Sequence, residues 1–215
     1  MRPAVAFLRR RRRWCRLVAR PRGPASPAGE ASVLLYTRAV LLGVSLCVLT
    51  AAAPRLQAVT PEYHLKAAFV ARFPQFVEWP SAVWEGRAAL DLCVVLPNRF
   101  GTALDEQVRG ETVHGRPLVL REVSPNDPFD ACHLLFVSAQ PREGTERRVL
   151  AHTATRPILT VGESESFLDH GGVIVLRVVE RRVRFEVDAP AAALAGLHLS
   201  SQLLRLAQRV RGGPS

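Results

Sequence analysis

The sequence lacks the motifs that mark most catalytic, nucleotide-binding and metal-binding sites. Neither phosphate-binding loop, GxGxxG or GxxxxGK followed by Ser or Thr, occurs after a predicted strand, and no GxSxG elbow is present. Six histidines are present, but none has the HxxxH or HExxH spacing of a zinc site. These absences predict no catalytic residue, no cofactor and no bound metal. The alternative, a hydrolase or transferase with an unfamiliar site, has only three acidic candidates near predicted strand ends, Asp105, Glu163 and Glu165.

Acidic residues are almost missing from the start of the chain. The formal net charge is +10, and residues 1–38 hold ten arginines against a single acid, Glu30. From Val59 to Ser215 the chain has 18 basic and 18 acidic residues, so this part is neutral overall. A neutral body offers no electrostatic footprint for a polyanion. The composition therefore predicts no nucleic-acid partner.

No apolar run near the N-terminus is long enough to cross a bilayer. The uncharged run from Ala39 to Leu49 is shorter than the roughly 20 residues that a spanning helix needs. Arg38 precedes this run and small residues follow it, as in a secretory signal peptide. We therefore expect a basic low-complexity leader over 1–32 (from a start codon assigned too early), a signal peptide over 33–58 cleaved after Ala58, and a folded α/β domain over 59–215. The alternative is a retained membrane anchor.

The exported part has the pattern of alternating helices and buried strands. Thr60 and Pro61 resemble a helix start. The spacing of Leu65, Ala68, Phe69, Phe73 and Phe76 predicts an amphipathic helix over 61–77. Short apolar runs predict strands at 90–96, 118–123, 133–138 and 158–161, with helices at 101–109 and 142–153 between them. The first three strands are expected in the order 2-1-3.

The pattern changes after the Gly171-Gly172 pair, which we expect to free the backbone for entry into a hairpin. Val173–Val179 and the alternating Val183–Asp188 predict two antiparallel strands joined at Glu180-Arg181-Arg182. Leucines and a valine at helical spacing predict a long terminal helix over 191–211. The predicted fold class is therefore α/β, with a mostly parallel sheet flanked by helices, an antiparallel hairpin at one edge and a long C-terminal helix.

Two of the four cysteines, Cys93 and Cys132, fall in the exported part. An even pair in an oxidising compartment is typical of a disulfide, and the order 2-1-3 would make the strands that carry them neighbours. Two buried free thiols and a redox-switching bridge are the alternatives.

Several segments together resemble the YfiR family, which is defined by the DUF4154 domain. The similar segments, in family order, are Lys66-Ala67-Ala68-Phe69-Val70, Phe76-Val77-Glu78-Trp79-Pro80, Cys132 to Ser138, Leu159-Thr160-Val161, Gly171-Gly172, Val183 to Val187 and Gly196 to Ala207. Val173-Ile174-Val175 and Asp188 depart from the family pattern, which has Met-Ile-Asn and Asn there. The resemblance implies a periplasmic, dimer-forming domain without enzymatic activity, and a structural disulfide between Cys93 and Cys132.

The resemblance also implies a function. The family role that is understood best is repression of a membrane-anchored diguanylate cyclase through its periplasmic region, which lowers cyclic di-GMP output. We expect Trp79, Arg181, Arg182 and Arg184 to be candidate partner-binding residues, although an indole packed on the sheet and a charge-guarded edge strand are the ordinary alternatives. The alternative function is a small-molecule sensor domain that serves another membrane receptor or histidine kinase, with its ligand at loops 97–101 and 162–166.

Overall fold

The computed structural model describes residues 60–139 and 144–212, so the predicted leader (1–32) and signal peptide (33–58) lie outside the described residues. The helices are α1 (Pro61–Arg72), α2 (Ala103–Val108), α3 (Thr145–Thr153), α4 (Ala189–Leu194) and α5 (Ser201–Leu206), with 3₁₀ turns at Phe73–Phe76 and Ser81–Trp84. The strands are β1 (Val77–Glu78), β2 (Leu90–Val95), β3 (Thr112–Val113), β4 (Arg116–Val123), β5 (Leu134–Val137), β6 (Leu159–Gly162), β7 (Ile174–Val179), β8 (Arg182–Asp188), β9 (His198–Leu199) and β10 (Arg209–Arg211).

Eight of the described strands form one curled sheet in the order β10-β8-β7-β6-β5-β2-β4-β3. The ladders from β4 through β2, β5 and β6 to β7 are all parallel. The predicted order 2-1-3 of the first three strands is confirmed, because β2 lies between β4 and β5. Parallel neighbours require crossover connections, which α2 and α3 help to supply.

The central strands are buried on both faces, which explains their continuous apolar sequences. Side chains of β2 alternate between two clusters: Leu92 and Val94 join one, and Cys93 and Val95 join the other. The first cluster also holds the buried hydrophobic residues of α1, α2, α4 and α5, whereas α3 contributes Val149 and Leu150 to the second. Helices therefore flank both faces of the sheet, as predicted.

The predicted hairpin is present, but it is not the outermost part of the sheet. β7 and β8 pair antiparallel around a two-residue turn in which Glu180 and Arg181 have φ of 49° and 62°. Positive φ at both central residues is typical of a hairpin turn whose twist matches that of the flanking strands. β10 then pairs in parallel with β8 and forms that edge, while the short β3 forms the other.

The predicted long C-terminal helix is wrong. Gly196, at φ 71°, follows the end of α4, and a left-handed glycine at this position ends a helix. His198 and Leu199 then form β9, which pairs with β1 in a separate two-stranded sheet. The Ser200 side chain accepts a hydrogen bond from the Leu203 amide at 3.2 Å and starts α5, so the region forms two helices of six residues each.

The structure contains the disulfide between Cys93 and Cys132, with a Cα–Cα distance of 5.7 Å. Cys93 lies inside β2, and Cys132 lies two positions before the start of β5. β5 is a parallel neighbour of β2. Both residues are buried. The bridge therefore joins two adjacent central strands within the second apolar cluster.

The glycine pair has a second role that its sequence did not indicate. Gly171 has φ 88°, in line with the expected backbone freedom. At Gly172, however, a Cβ atom would overlap the ring of Phe167, and the same holds at Gly162. Phe167 is fully buried, so these glycines leave the space that its ring occupies.

Candidate functional site

Helix α1 presents two chemically different faces. Its buried face consists of Tyr63, Lys66, Ala67, Val70 and Ala71. The apolar stripe that predicted the helix lies elsewhere: Leu65 is 45% exposed, and Phe69 is only partly buried. The polar residues of the buried face and the apolar residues of the stripe each line a cavity, described in turn below.

A polar pocket of about 490 Å³ lies beside the carboxyl ends of β2, β5 and β6. Loops 97–101 and 162–166, which the sequence singled out for a small ligand, meet here through Arg99, Glu163 and Glu165. We call this the strand-end pocket. Its lining residues are Thr60, Glu62, Tyr63, Lys66, Arg99, Ala139, Glu163, Glu165, Leu176, Arg177 and Val178. Crevices at this end of an open α/β sheet are the usual ligand positions.

Glu163 is the most enclosed charge in the pocket, with its side chain 3% exposed. It forms an ion pair with Lys66, accepts a hydrogen bond from the Tyr63 hydroxyl at 2.6 Å, and accepts another from the Ala139 amide at 3.0 Å. Burial raises the pKa of Glu163, but these hydrogen bonds and the charge of Lys66 lower it by more, so the net direction is below its usual range. Glu163 is therefore ionised and fully partnered.

The same contacts act on the other members of the cluster. Burial, followed by the hydrogen bond to Glu163, raises the pKa of Tyr63, which keeps the phenol protonated as a donor. Lys66 also pairs with Glu62 at 2.5 Å and lies 4.9 Å from the Tyr63 ring centroid. Arg99 covers that ring at 5.3 Å. The two groups with shifted pKa values, Tyr63 and Glu163, are hydrogen-bonded to each other, an arrangement that fits a binding role.

The three acidic candidates for catalysis do not form one site. Glu163 and Glu165 line the strand-end pocket, but Asp105 lies on α2, where it pairs with Arg109 at 2.6 Å. Within residues 60–139 and 144–212, no three His, Cys, Asp or Glu side chains converge as metal ligands would.

An apolar groove of about 300 Å³ runs along the other side of α1. It is lined by Ala68, Phe69, Arg72, Phe73, Phe76, Phe185, Leu203 and Leu206. The rings of Phe69 and Phe73 lie 6.1 and 5.3 Å from that of Phe185, and together they form an aromatic floor. Leu206 at its rim is 63% exposed. We call this feature the apolar groove. An open aromatic cavity of this kind is typical of a protein-docking site.

The predicted partner-binding arginines lie together on the hairpin. Arg181 occupies the turn, Arg182 begins β8, and Arg184 follows two positions later, and all three are exposed. None of their side chains forms an ion pair or hydrogen bond with another described residue, although Arg182 and Arg184 take part in the β7–β8 ladder. Their predicted role in partner binding remains a prediction.

Trp79, the other predicted contact, has little surface to offer a partner. Its side chain is 8% exposed and packs edge-to-face on Trp84, with ring centroids 5.9 Å apart. Its predicted role in partner binding stays a prediction. Trp84 in turn stacks on His133 at 4.9 Å and lies under Arg116 at 4.4 Å.

His133, which directly precedes β5, is fully buried. Its Nδ1 accepts a hydrogen bond from the Asp91 amide at 3.0 Å, so the ring proton resides on Nε2. Burial, then the positive charge of Arg87, lowers the pKa of His133 to about 4. The imidazole is therefore a neutral part of the core at physiological pH.

The chain was compared with known protein families. The family model DUF4154, described as YfiR/HmsC-like, matches residues 63–208. The match begins in α1, ends just after α5, and so includes the strand-end pocket, the apolar groove and the hairpin. None of the described helices is both long enough and apolar enough to cross a bilayer.

Proposed function

Because the chain belongs to the YfiR/HmsC-like family, we propose that it is an exported, non-catalytic regulator of cyclic di-GMP signalling. In this proposal it docks on the periplasmic region of an inner-membrane diguanylate cyclase and favours the inactive state of that enzyme. The effect can be no larger than the difference between its affinities for the two states of the cyclase. A homodimer, which the family resemblance implies, is the proposed form.

The family match carries this proposal, since it extends over residues 63–208. Two features of the structure support it. The Cys93–Cys132 disulfide suits an oxidising compartment such as the periplasm. The strand-end pocket, in which each buried charge has a partner, suits a protein that acts by binding.

We propose the apolar groove as the docking surface, with an apolar segment of the cyclase's periplasmic region as its occupant. Phe69, Phe73 and Phe185 offer large, rigid contact area, and aromatic residues in a desolvated pocket supply much of the energy of protein interfaces. Arg72 at the rim, whose nearest carboxylate is that of Glu111 at 3.8 Å, would favour acidic residues beside the apolar segment.

The test compares two leucines that are equally exposed on short helices. Leu206 lines the groove and is 63% exposed, whereas Leu194 on α4 is 62% exposed and does not line it. Tagged wild type, Leu206→Glu and Leu194→Glu are expressed in the natural host after deletion of the native gene, and bound membrane proteins are identified by mass spectrometry after crosslinking. We expect Leu206→Glu to recover the cyclase at least about tenfold less well than wild type, because a carboxylate in the groove would be desolvated. Recovery of no cyclase or kinase by wild type would contradict the proposal, as would equal recovery by both variants.

The strand-end pocket supports a second candidate function, a small-molecule sensor domain that serves another membrane receptor or histidine kinase. The observation that favours it is the convergence of loops 97–101 and 162–166 on one cavity with Arg99 at its opening. Charges of both signs line this cavity, so its ligand would be small and polar, with an anionic group for Arg99.

Thermal-shift screening of small polar metabolites tests this candidate. Arg99→Ala removes a cation from the pocket opening, and Arg109→Ala is the control, because Arg109 directly follows α2 and lies outside the pocket. A ligand at 100 times its Kd would stabilise the fold by about 2.7 kcal/mol. We expect that shift in wild type and Arg109→Ala but not in Arg99→Ala. If no compound shifts wild type, or if all three respond alike, the pocket is not a sensor site.

A further inference from the structure

The outer half of the hairpin is a two-stranded arm. β6 pairs with β7 only at Ile174 and Val175, and β10 pairs with β8 only from Glu186 to Asp188. The four rungs between Leu176–Phe185 and Val179–Arg182 therefore have no other strand beside them in the described part of the chain. We call residues 176–185 the arginine arm.

The two faces of the arm differ in chemistry. Leu176, Val183 and Phe185 face the first apolar cluster. On the opposite face, Arg177 lies directly across from Arg184, and two rungs further on Val179 lies across from Arg182. Like charges directly opposite in an antiparallel pair destabilise a sheet. An anionic partner on this face would remove that repulsion.

The arm holds four arginines and one acid, Glu180 in the turn, and the next acid, Glu186, lies just outside it. These acids neutralise only a part of its charge. Glu186 lies 3.8 Å from Arg177, which also donates to the backbone carbonyl of Glu165 at 3.0 Å. Arg181, Arg182 and Arg184 are exposed and meet no carboxylate among the described residues. The arginine arm therefore presents three guanidinium groups with free donors for phosphate oxygens, and the planar fork of arginine matches the geometry of phosphate well.

Apolar surface accompanies these charges. Val179, on the same face as the arginines, is 40% exposed, and Val178, on the other face next to the turn, is 48% exposed. Arginines beside exposed apolar side chains suit the boundary between lipid headgroups and acyl chains, where each part finds its preferred environment. An acidic protein surface would use the arginines but would leave the valines exposed.

We propose that the arginine arm binds the surface of a bilayer that contains anionic phospholipids. This binding needs no particular protein partner, so it stands apart from the proposed docking on a cyclase. It would hold the protein beside the membrane in which its partner resides and raise the local concentration of one for the other.

The test measures amide hydrogen exchange of the full chain in the presence of two kinds of vesicle. One kind contains phosphatidylcholine alone, and the other contains about 30% phosphatidylglycerol, which gives it a negative surface potential. Residues 1–38 carry ten arginines of their own, so only the peptide over 176–185 reports on the arm. We expect protection of this peptide on the anionic vesicles only, with loss at high salt.

Matched variants assign the effect to the arm. The triple variant Arg181→Gln, Arg182→Gln, Arg184→Gln removes three charges from it. The control Arg109→Gln, Arg147→Gln, Arg148→Gln also removes three exposed charges. One of them directly follows α2, and the other two lie on α3. Each arginine near an anionic surface contributes enough that we expect the arm variant to need ~100 times more lipid for half-maximal protection. The control should match wild type.

Three results would overturn the proposal. The first is an absence of protection over 176–185 on anionic vesicles, and the second is an unchanged lipid requirement in the arm variant. The third is protection by soluble polyglutamate but not by vesicles, which would assign the arm to an acidic protein surface. Urea midpoints equal to wild type show that both triple variants are folded and that the comparison is sound.

Discussion

The buried ion pair between Lys66 and Glu163 makes a sharp prediction about stability. Lys66 is the only lysine in the chain, and the two side chains are 6% and 3% exposed. Lys66→Met keeps the apolar stem but leaves the Glu163 carboxylate enclosed with only two neutral donors, the Tyr63 hydroxyl and the Ala139 amide. Breaking one side of a buried pair costs about 3–5 kcal/mol, a large part of a typical unfolding free energy.

Glu163→Gln should restore part of the stability that Lys66→Met removes. Glu163→Gln alone keeps an acceptor for Tyr63, and Lys66 keeps Glu62, whose side chain is 44% exposed. We therefore expect a smaller loss, about 2 kcal/mol, the value of a hydrogen bond to a charged group. In the double variant the neutral amide needs no counter-charge, so it should be more stable than Lys66→Met alone.

The assay is urea unfolding at neutral pH, followed by far-UV circular dichroism of the oxidised protein. The exposed pair Arg109–Asp105, at 2.6 Å with side chains 73% and 53% exposed, is the control, and Arg109→Met should change stability by less than about 0.5 kcal/mol. Losses that simply add in the double variant would refute the coupling between Lys66 and Glu163. A loss of unfolding free energy below about 1 kcal/mol in Lys66→Met would refute the claim that Glu163 is a buried charge that depends on Lys66.

The same pair should show in the acid limb of the stability curve. The pKa of Glu163 is lowered in the folded state from an ordinary value of 4.5. Its stabilisation is therefore complete above that ordinary pKa and is lost as the pH falls through the lower folded value. Lys66→Met should flatten this limb, because it removes the main cause of the lowered pKa.

Three further predictions concern the core. Because the pKa of His133 is lowered from 6.5 to about 4, the fold should lose about 3 kcal/mol of stability as the pH falls from 6.5 to 4, since the unfolded state takes up the proton first. Urea titrations should show a much smaller loss in His133→Gln than in wild type over that window. Removal of the disulfide by Cys93→Ala with Cys132→Ala should cost about 4 kcal/mol for a loop of 39 residues, and reduction of wild type should cost a similar amount in the same assay; a loss below about 1 kcal/mol would contradict this. Gly172→Ala should cost about 1–3 kcal/mol through overlap with the Phe167 ring, and an unchanged thermal midpoint would show that the ring moves aside.

Much of the sheet could be predicted from sequence because its strands are buried on both faces. The apolar runs at β2, β5 and β6 have no periodicity, so their length and composition indicated strands. The order β4-β2-β5 of the first three predicted strands followed from the rules for parallel sheets. The C-terminal region failed for a local reason. Leucine spacing indicated one helix, but Gly196 follows the end of α4 in a left-handed conformation and Ser200 caps the start of α5. These local signals prevailed over the spacing.

The sites were harder to predict, because their residues meet only in the fold. Lys66 and Glu163 are 97 positions apart, so neither α1 nor β6 alone indicates the pair. The apolar stripe of α1 gave the helix correctly, yet its phenylalanines line an open groove, because the sheet packs against the face that carries Tyr63 and Lys66. Periodicity shows that a helix has an apolar face, but it does not show what covers that face.

The account depends on docking that changes the output of a membrane enzyme, and intracellular cyclic di-GMP in the natural host measures this most directly. Deletion of the gene should raise the level, and wild type or Leu194→Glu should lower it again, whereas Leu206→Glu, expressed and oxidised to the same extent, should not. An unchanged level after deletion, or full complementation by Leu206→Glu, would contradict the account.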